Sequence, residues 1–266
     1  MFYHTSVNNT HCDKSIKFIL VCLSACSFLL NFSLYSFIFF MSGKLYIVPT
    51  PIGNLEDITF RAVRILKEAD FILAEDTRTT GILLKHLDIN KKMYSHNLNN
   101  EHKTVDSLIE RLQAGEQVAL VSDAGTPGIS DPAYRLINAC IERQIKLIPL
   151  PGATAFIPAL LASGFGTDKF AFFGFPPHKK GRKKFIQMIA DADITAILYE
   201  SPFRVIKLIN EMSDAGMQDQ RICIAREITK LHEEFIRGTV AECSEILKEH
   251  KNIKGEFVVV VESRKD

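Results

Sequence analysis

The densest set of ligand-holding residues in this 266-residue chain is the run Asp123-Ala-Gly-Thr-Pro-Gly128. Gly125 and Gly128 let backbone approach a bound molecule closely. Asp123 can accept hydrogen bonds from ligand amines or hydroxyls. A tight turn is the simpler reading of Pro and Gly so placed, but a turn does not need so long a run of small, polar and proline residues. A second group, Glu75, Asp76 and Arg78, sets two carboxylates beside a guanidinium. A positioned carboxylate can act as a general base, typically worth ~10²–10⁴-fold in rate, and Arg78 can hold a phosphate or fix a carboxylate. The alternative is that Asp76 caps the next helix and Arg78 pairs locally. A third group, His178, Lys179, Lys180, Arg182, Lys183 and Lys184, is a basic strip of the kind that contacts RNA phosphates without reading sequence. A solvated helix start is the plainer reading, although basic charge there opposes the helix dipole. Lys169, Arg204 and Lys230 are secondary candidates.

The elements that must position these groups are legible as apolar runs. Val118–Val121 predicts a strand buried on both faces. Asp131 is a good N-cap and Pro132 a good first helical residue for a helix whose apolar face begins with Tyr134, Leu136 and Ile137. Lys44–Val48 predicts the first strand, ended by Pro49-Thr-Pro-Ile-Gly-Asn54. Asp57 or Thr59 can cap a helix carrying Phe60, Val63, Ile65, Leu66 and Ala69. Strands follow at 70–74, 93–95 and 146–150, with helices between them. Five strands alternating with helices predict a mostly parallel α/β sheet. Its ligand edge would gather the loops 49–54, 75–78 and 123–128, because each follows a strand's C-terminal end. Pro151–Ala155 marks a crossing into a second half of about five strands with more sequential pairing. The expected organisation is a leader (1–40), an N-terminal α/β domain (41–150) and a C-terminal α/β domain (151–266).

Composition bounds the function classes. Residues 1–40 hold 7 of the 19 Phe and no Gly, Pro, Glu, Gln or Arg. Phe18–Phe40 is uncharged and long enough to span a bilayer. The skew favours a start at Met41 over a membrane anchor, and the working protein is expected to be cytoplasmic. Lys14 and Lys17 against Asp13 reduce the formal charge of +1 to a neutral remainder. Nothing global therefore draws the chain to nucleic acid, and such a partner needs a local patch. Cys140, Cys223 and Cys243 are far apart, which predicts reduced thiols and neither a disulfide framework nor a zinc site. The histidines are scattered without metal-ligand spacing. Neither G-x-G-x-x-G nor G-x-x-x-x-G-K-[ST] occurs, which sets aside the usual dinucleotide and triphosphate sites. Backbone groups, hydroxyls and carboxylates suit an uncharged or cationic nucleoside.

Seven motifs in order carry a resemblance. They are Pro49–Asp57, Ala74–Arg78, Ser122–Pro127 with Ile129–Pro132, Pro151–Ala155, Tyr199–Pro202, Arg226–Lys230 and Gly255–Val259. Together they resemble the ribosomal RNA small subunit methyltransferase I family of the tetrapyrrole methylase superfamily, over essentially all of residues 44–263. The resemblance implies two α/β domains with S-adenosylmethionine in the cleft between them. It implies methylation of a cytidine ribose 2′-hydroxyl in small-subunit (16S) ribosomal RNA, with the small ribosomal subunit as partner and a homodimer as assembly. On it, Pro51, Asp123, Ala124, Gly125, Thr126, Thr154, Ala155, Tyr199 and Ala225 line the cofactor site. The base stays open among the carboxylates of the 75–78 loop, and no metal is implied. Ala133 stands where the motif has Gly, and Phe203 where a His is common. The alternatives are a tetrapyrrole C-methyltransferase and a nucleoside-binding module without catalysis.

Overall fold

The computed structural model describes residues 43–97, 101–249 and 253–264. The leader and the start at Met41 lie outside the described residues. Among the described residues, no helix is long and apolar enough to cross a membrane.

The first half alternates strand and helix: β1 (Lys44–Ile47), α1 (Phe60–Glu68), β2 (Phe71–Ala74), α2 (Thr77–His86), β3 (Met93–Ser95), α3 (Glu101–Gln113), β4 (Gln117–Val121), α4 (Tyr134–Glu142) and β5 (Lys146–Pro149). The strands pair in the order β3-β2-β4-β1-β5, every pair parallel. The central strands are apolar without alternation because both sheet faces are covered. Leu45, Phe71, Leu73, Val118 and Leu120 point to the side packed by α3 and α4. Val48, Ile72, Ala74, Ala119 and Val121 point to the side of α1 and α2. Each of the Val, Leu, Ile and Phe side chains among them contributes roughly 1.5–3 kcal/mol on full burial.

The second half contains α5 (Phe156–Ser163), β6 (Phe170–Gly174), α6 (Arg182–Ala190), β7 (Thr195–Glu200), α7 (Val205–Asp214), β8 (Arg221–Arg226), β9 (Glu234–Thr239), α8 (Val240–Glu249) and β10 (Phe257–Val261). Its sheet runs β6-β7-β10-β8-β9. Only β6 and β7 are parallel; β10 is antiparallel to both β7 and β8, and β8 to β9. One face packs on α6, α7 and α8. The other packs on α5 and takes in Ile52 from the first half, which joins the two cores.

Helix starts decide where the loops go. Thr59 caps α1 by accepting the Ala62 N–H at 3.0 Å, while Asp57 falls in the short 3₁₀ turn Leu55–Asp57. Asp76 caps α2, accepting the Arg78 N–H at 2.8 Å. The expected cap at Asp131 is not made. Helix α4 starts two residues later than expected, at Tyr134 behind Ala133, with no side-chain cap, and Pro132 lies outside it. Ser130 has φ +67, which reverses the chain there, and the Asp131 carboxylate turns back to accept the Gly128 N–H.

Candidate active site

The three loops expected at the C-terminal edge of the first sheet do meet there, and hydrogen bonds stitch them together. The loop after β1 and the loop after β4 form a small antiparallel bridge. In it Thr50 N–H donates to Gly125 O (2.9 Å) and Gly125 N–H to Thr50 O (3.0 Å). The Thr50 hydroxyl donates to Ser122 O at 3.1 Å. The Thr126 hydroxyl reaches the loop after β5, donating to Ala153 O at 3.0 Å. On the other flank Asp76 N–H donates to Asp123 Oδ1 (3.1 Å) and Asp123 N–H to Glu75 Oε2 (3.3 Å). Gly125 has φ +84, and a Cβ added there would lie 3.4 Å from Ile52 Cγ2. Only glycine makes that crossing without strain.

Above these loops lies a cavity of about 390 Å³, closed on its far side by the second half. Asp123, Ala124, Gly125, Thr126, Thr154, Ala155 and Tyr199 line it, as expected from the sequence. Two others do not. Pro51 lines a neighbouring cavity. Ala225 is fully buried in β8, packed in the core beneath Tyr199. Tyr199 stands edge-on to Phe172 and Phe175, and burial pushes its phenol up to about 12. It therefore stays neutral and presents a ring face. The wall also includes residues given no site role from the sequence, among them Asp131, Ile52, Glu256 and Val258. Asp131 was in view, but its Ser-Asp-Pro context matches a helix cap equally well.

The carboxylates at the cavity differ in kind. Burial raises Glu75 above its ordinary value, Asp123 and Asp76 nearby push the same way, and the Asp123 N–H opposes. Burial likewise raises Asp123. It lifts Asp131 to about 6, with help from Glu75 and Asp123 and against the Gly128 N–H. Asp76 goes the other way, to about 2, chiefly through the Arg78 guanidinium and the Arg78 N–H. Arg78 Nε donates to Asp76 Oδ1 at 3.0 Å. Asp76 and Arg78 are thus a capped helix start and its local ion pair, and neither lines the cavity. Of the loop's three candidates, Glu75 alone lines the cavity.

The basic strip divides in the same way. Lys179, Lys180, Lys183 and Lys184 are exposed. Arg182 is not on that surface. It is 3% exposed and donates to Glu211 (2.6 Å) and Glu200 (3.2 Å). At the first position of α6 its side chain points inward, and burying a guanidinium demands carboxylate partners. Arg204 shares Glu200 at 2.9 Å and contacts His178 at 2.8 Å, so the strip is anchored to the cavity wall through Glu200.

Three comparisons agree with this architecture. The family model of Tetrapyrrole (Corrin/Porphyrin) Methylases matches residues 44–244. Solved structures with the same fold include a diphthine synthase (TM-score 0.65, 16% identity, 83% of this chain and 90% of that one). A cobalt precorrin-4 methyltransferase also shares it (TM-score 0.61, 19% identity, 82% and 94%). The chain belongs to the tetrapyrrole methylase family. A relative from Synechocystis sp. is 47% identical over 220 residues, 82% of this chain and 78% of its own. One from Hydrogenobaculum sp. is 48% identical over 219 residues, 82% and 95%. Both are ribosomal RNA small subunit methyltransferase I, and within the family this chain groups with them.

Methylases of this family draw on S-adenosylmethionine, which supplies a methyl group activated on a cationic sulfur. The residues present fit it. Glu75, Asp123 and Asp131 set negative charge around the cavity, suited to a sulfonium and an ammonium. Ile52, Ala155, Tyr199 and Val258 give apolar surface for a purine, and the 390 Å³ volume is within the range of small-molecule sites. Among the described residues no cluster of His, Cys, Asp or Glu is arranged to hold a metal ion.

Proposed function

We propose that the protein methylates small-subunit ribosomal RNA, at the ribose 2′-hydroxyl of a cytidine. The observation that carries this reading is the 47–48% identity, running through both halves, with relatives named for that RNA. The exposed lysines at 179, 180, 183 and 184 support it, because they give a formally balanced chain a local surface for phosphates. Phe203, 93% exposed beside Arg204, adds an aromatic face to that surface. An unpaired base can stack on such a face.

Glu75 supplies the base. A ribose hydroxyl must lose its proton as the oxygen takes the methyl group, and a half-buried carboxylate with a raised pKa is a better acceptor than an ordinary one. The Asp123 N–H fixes its orientation. The walls do the rest by holding donor and oxygen in line, which removes much of the entropic barrier.

The test is label transfer from methyl-labelled S-adenosylmethionine to small ribosomal subunits from cells lacking the modification. The expected result is label on one cytidine ribose after nuclease mapping. Label on a base, or transfer to a tetrapyrrole and none to RNA, would overturn the reading.

A further inference from the structure

A second cavity of about 290 Å³ adjoins the first across a shared wall that includes Asp123 and Ala124. The loop after β1, one side of α2 and Lys230 of the second half enclose it. Nothing in the proposed reaction has yet used it.

Its lining, and the residue that backs it, are costly in three independent ways. First, Thr80 on α2 is 3% exposed, and its hydroxyl is buried with no hydrogen-bond partner. A buried unpaired hydroxyl destabilises a fold and calls for an explanation. Second, Thr229 has the same defect. It lies directly behind Gly53 of the cavity wall, where an added Cβ would come 2.7 Å from the Thr229 oxygen. Its backbone is held at φ +66, an expensive conformation for a β-branched residue. Third, Ile82 is 71% and Leu55 37% exposed at this cavity, apolar side chains left in water where two helix turns offer polar alternatives.

Charge narrows the ligand. Lys230 is the cavity's one lysine, and Glu227 (2.9 Å) and Glu256 (3.2 Å) already neutralise it. With Asp123 also in the wall, the site repels a polyphosphate. A neutral sugar and base fit: hydroxyl and backbone groups for hydrogen bonds, two apolar faces for a base taken out of its stack. The volume is on the scale of one nucleoside.

We propose that this second cavity receives the methyl-accepting nucleoside, flipped out of the RNA. Ile82 and Leu55 flank its base, a small shift of α2 lets the buried Thr80 hydroxyl bond it, and its ribose faces the Asp123–Ala124 wall. The proposal rests on the RNA reading above and deepens it. It explains why Glu75 is oriented by Asp123, since that residue belongs to both cavities. The 2′-oxygen then meets the donor's methyl group at the shared wall. The oxygen–carbon bond forms as the carbon–sulfur bond breaks, the electron pair leaves with sulfur, and the proton passes to Glu75.

Thr80→Val and Ile82→Ser test it, with three readouts on each variant. These are the melting temperature, S-adenosylmethionine affinity by calorimetry, and kcat and KM for methyl transfer to small ribosomal subunits. Thr80→Val should melt no lower than the parent, because it deletes an unpaired group. It should bind S-adenosylmethionine as before and lose roughly tenfold in kcat/KM for the subunit, mainly in KM. Ile82→Ser, at an exposed position, should behave alike. Unchanged kcat/KM in both variants would overturn the proposal. So would a loss of S-adenosylmethionine affinity equal to the loss in kcat/KM, which would make this cavity part of the donor site. A parent protein that transfers nothing to the subunit would instead overturn the RNA reading, and this proposal with it.

Discussion

At the scale of residues, neighbouring carboxylates are given different tasks by their surroundings. Glu75→Gln keeps shape and removes the proposed base, so kcat should fall by roughly 10²–10⁴-fold while S-adenosylmethionine affinity holds, read by single-turnover label transfer. In the parent, transfer should rise with pH through Glu75's elevated pKa, since only the ionised form accepts a proton. Asp76→Ala should instead lower stability through the lost cap and leave methyl transfer in place, measured by urea denaturation beside the transfer assay. Asp131 has a distinct signature. Its folded pKa of about 6 exceeds the unfolded value of 3.8. Its charge therefore costs stability above pH 6, and the cost vanishes as pH falls toward 4. Asp131→Asn retains an oxygen for the Gly128 N–H, so it should melt higher than the parent at pH 8 and level with it at pH 4. Asp123 and Glu75 were legible from sequence because small-residue loops after apolar runs have few other uses. Asp131 was legible as a residue but not as a wall, because the reversal at Ser130 is a backbone choice that a Ser-Asp-Pro string does not dictate.

At the scale of elements, strands were read closely and helix starts less so. Runs such as Phe71–Ala74 and Val118–Val121 have no polar face to offer, so only a doubly covered strand suits them. Helix starts depend on which side chain wins a nearby donor, a contest settled in three dimensions. Arg182 is the sharpest instance: five basic neighbours make it look like surface, yet the first turn of α6 aims it between Glu200 and Glu211. Arg182→Ala should therefore destabilise by about 3–5 kcal/mol, since it leaves buried carboxylate charge short of a partner. A denaturant series on Arg182→Ala and Lys183→Ala checks this, with the lysine variant expected to stay within about 0.5 kcal/mol of the parent.

At the scale of the whole molecule, two sheets of different construction share one site. The parallel sheet presents loops, the mixed sheet closes over them, and Ile52 ties their cores together. The exposed lysines lie on the second half, in a strip anchored through Arg182 and Arg204 to Glu200 of the cavity wall. Replacing Lys179, Lys180, Lys183 and Lys184 by Ala should weaken binding to the small ribosomal subunit and flatten its salt dependence by about 0.7 per lost phosphate contact. Filter-binding over a salt series reads both, with S-adenosylmethionine affinity as the control.

The position of β10 has a consequence for how the protein is made. Among the described residues it is the last strand in sequence but the middle strand of its sheet, and Glu256–Val258 at its start form part of the first cavity. While the chain is being synthesised, the first half can assemble as its strands emerge. The β6–β7 pair and the β8–β9 hairpin, however, must each wait with an open edge. The cavity is thus completed only once residues 256–258 have been made, after both flanking strand pairs, and until then two strand edges stay unpaired and open to wrong association.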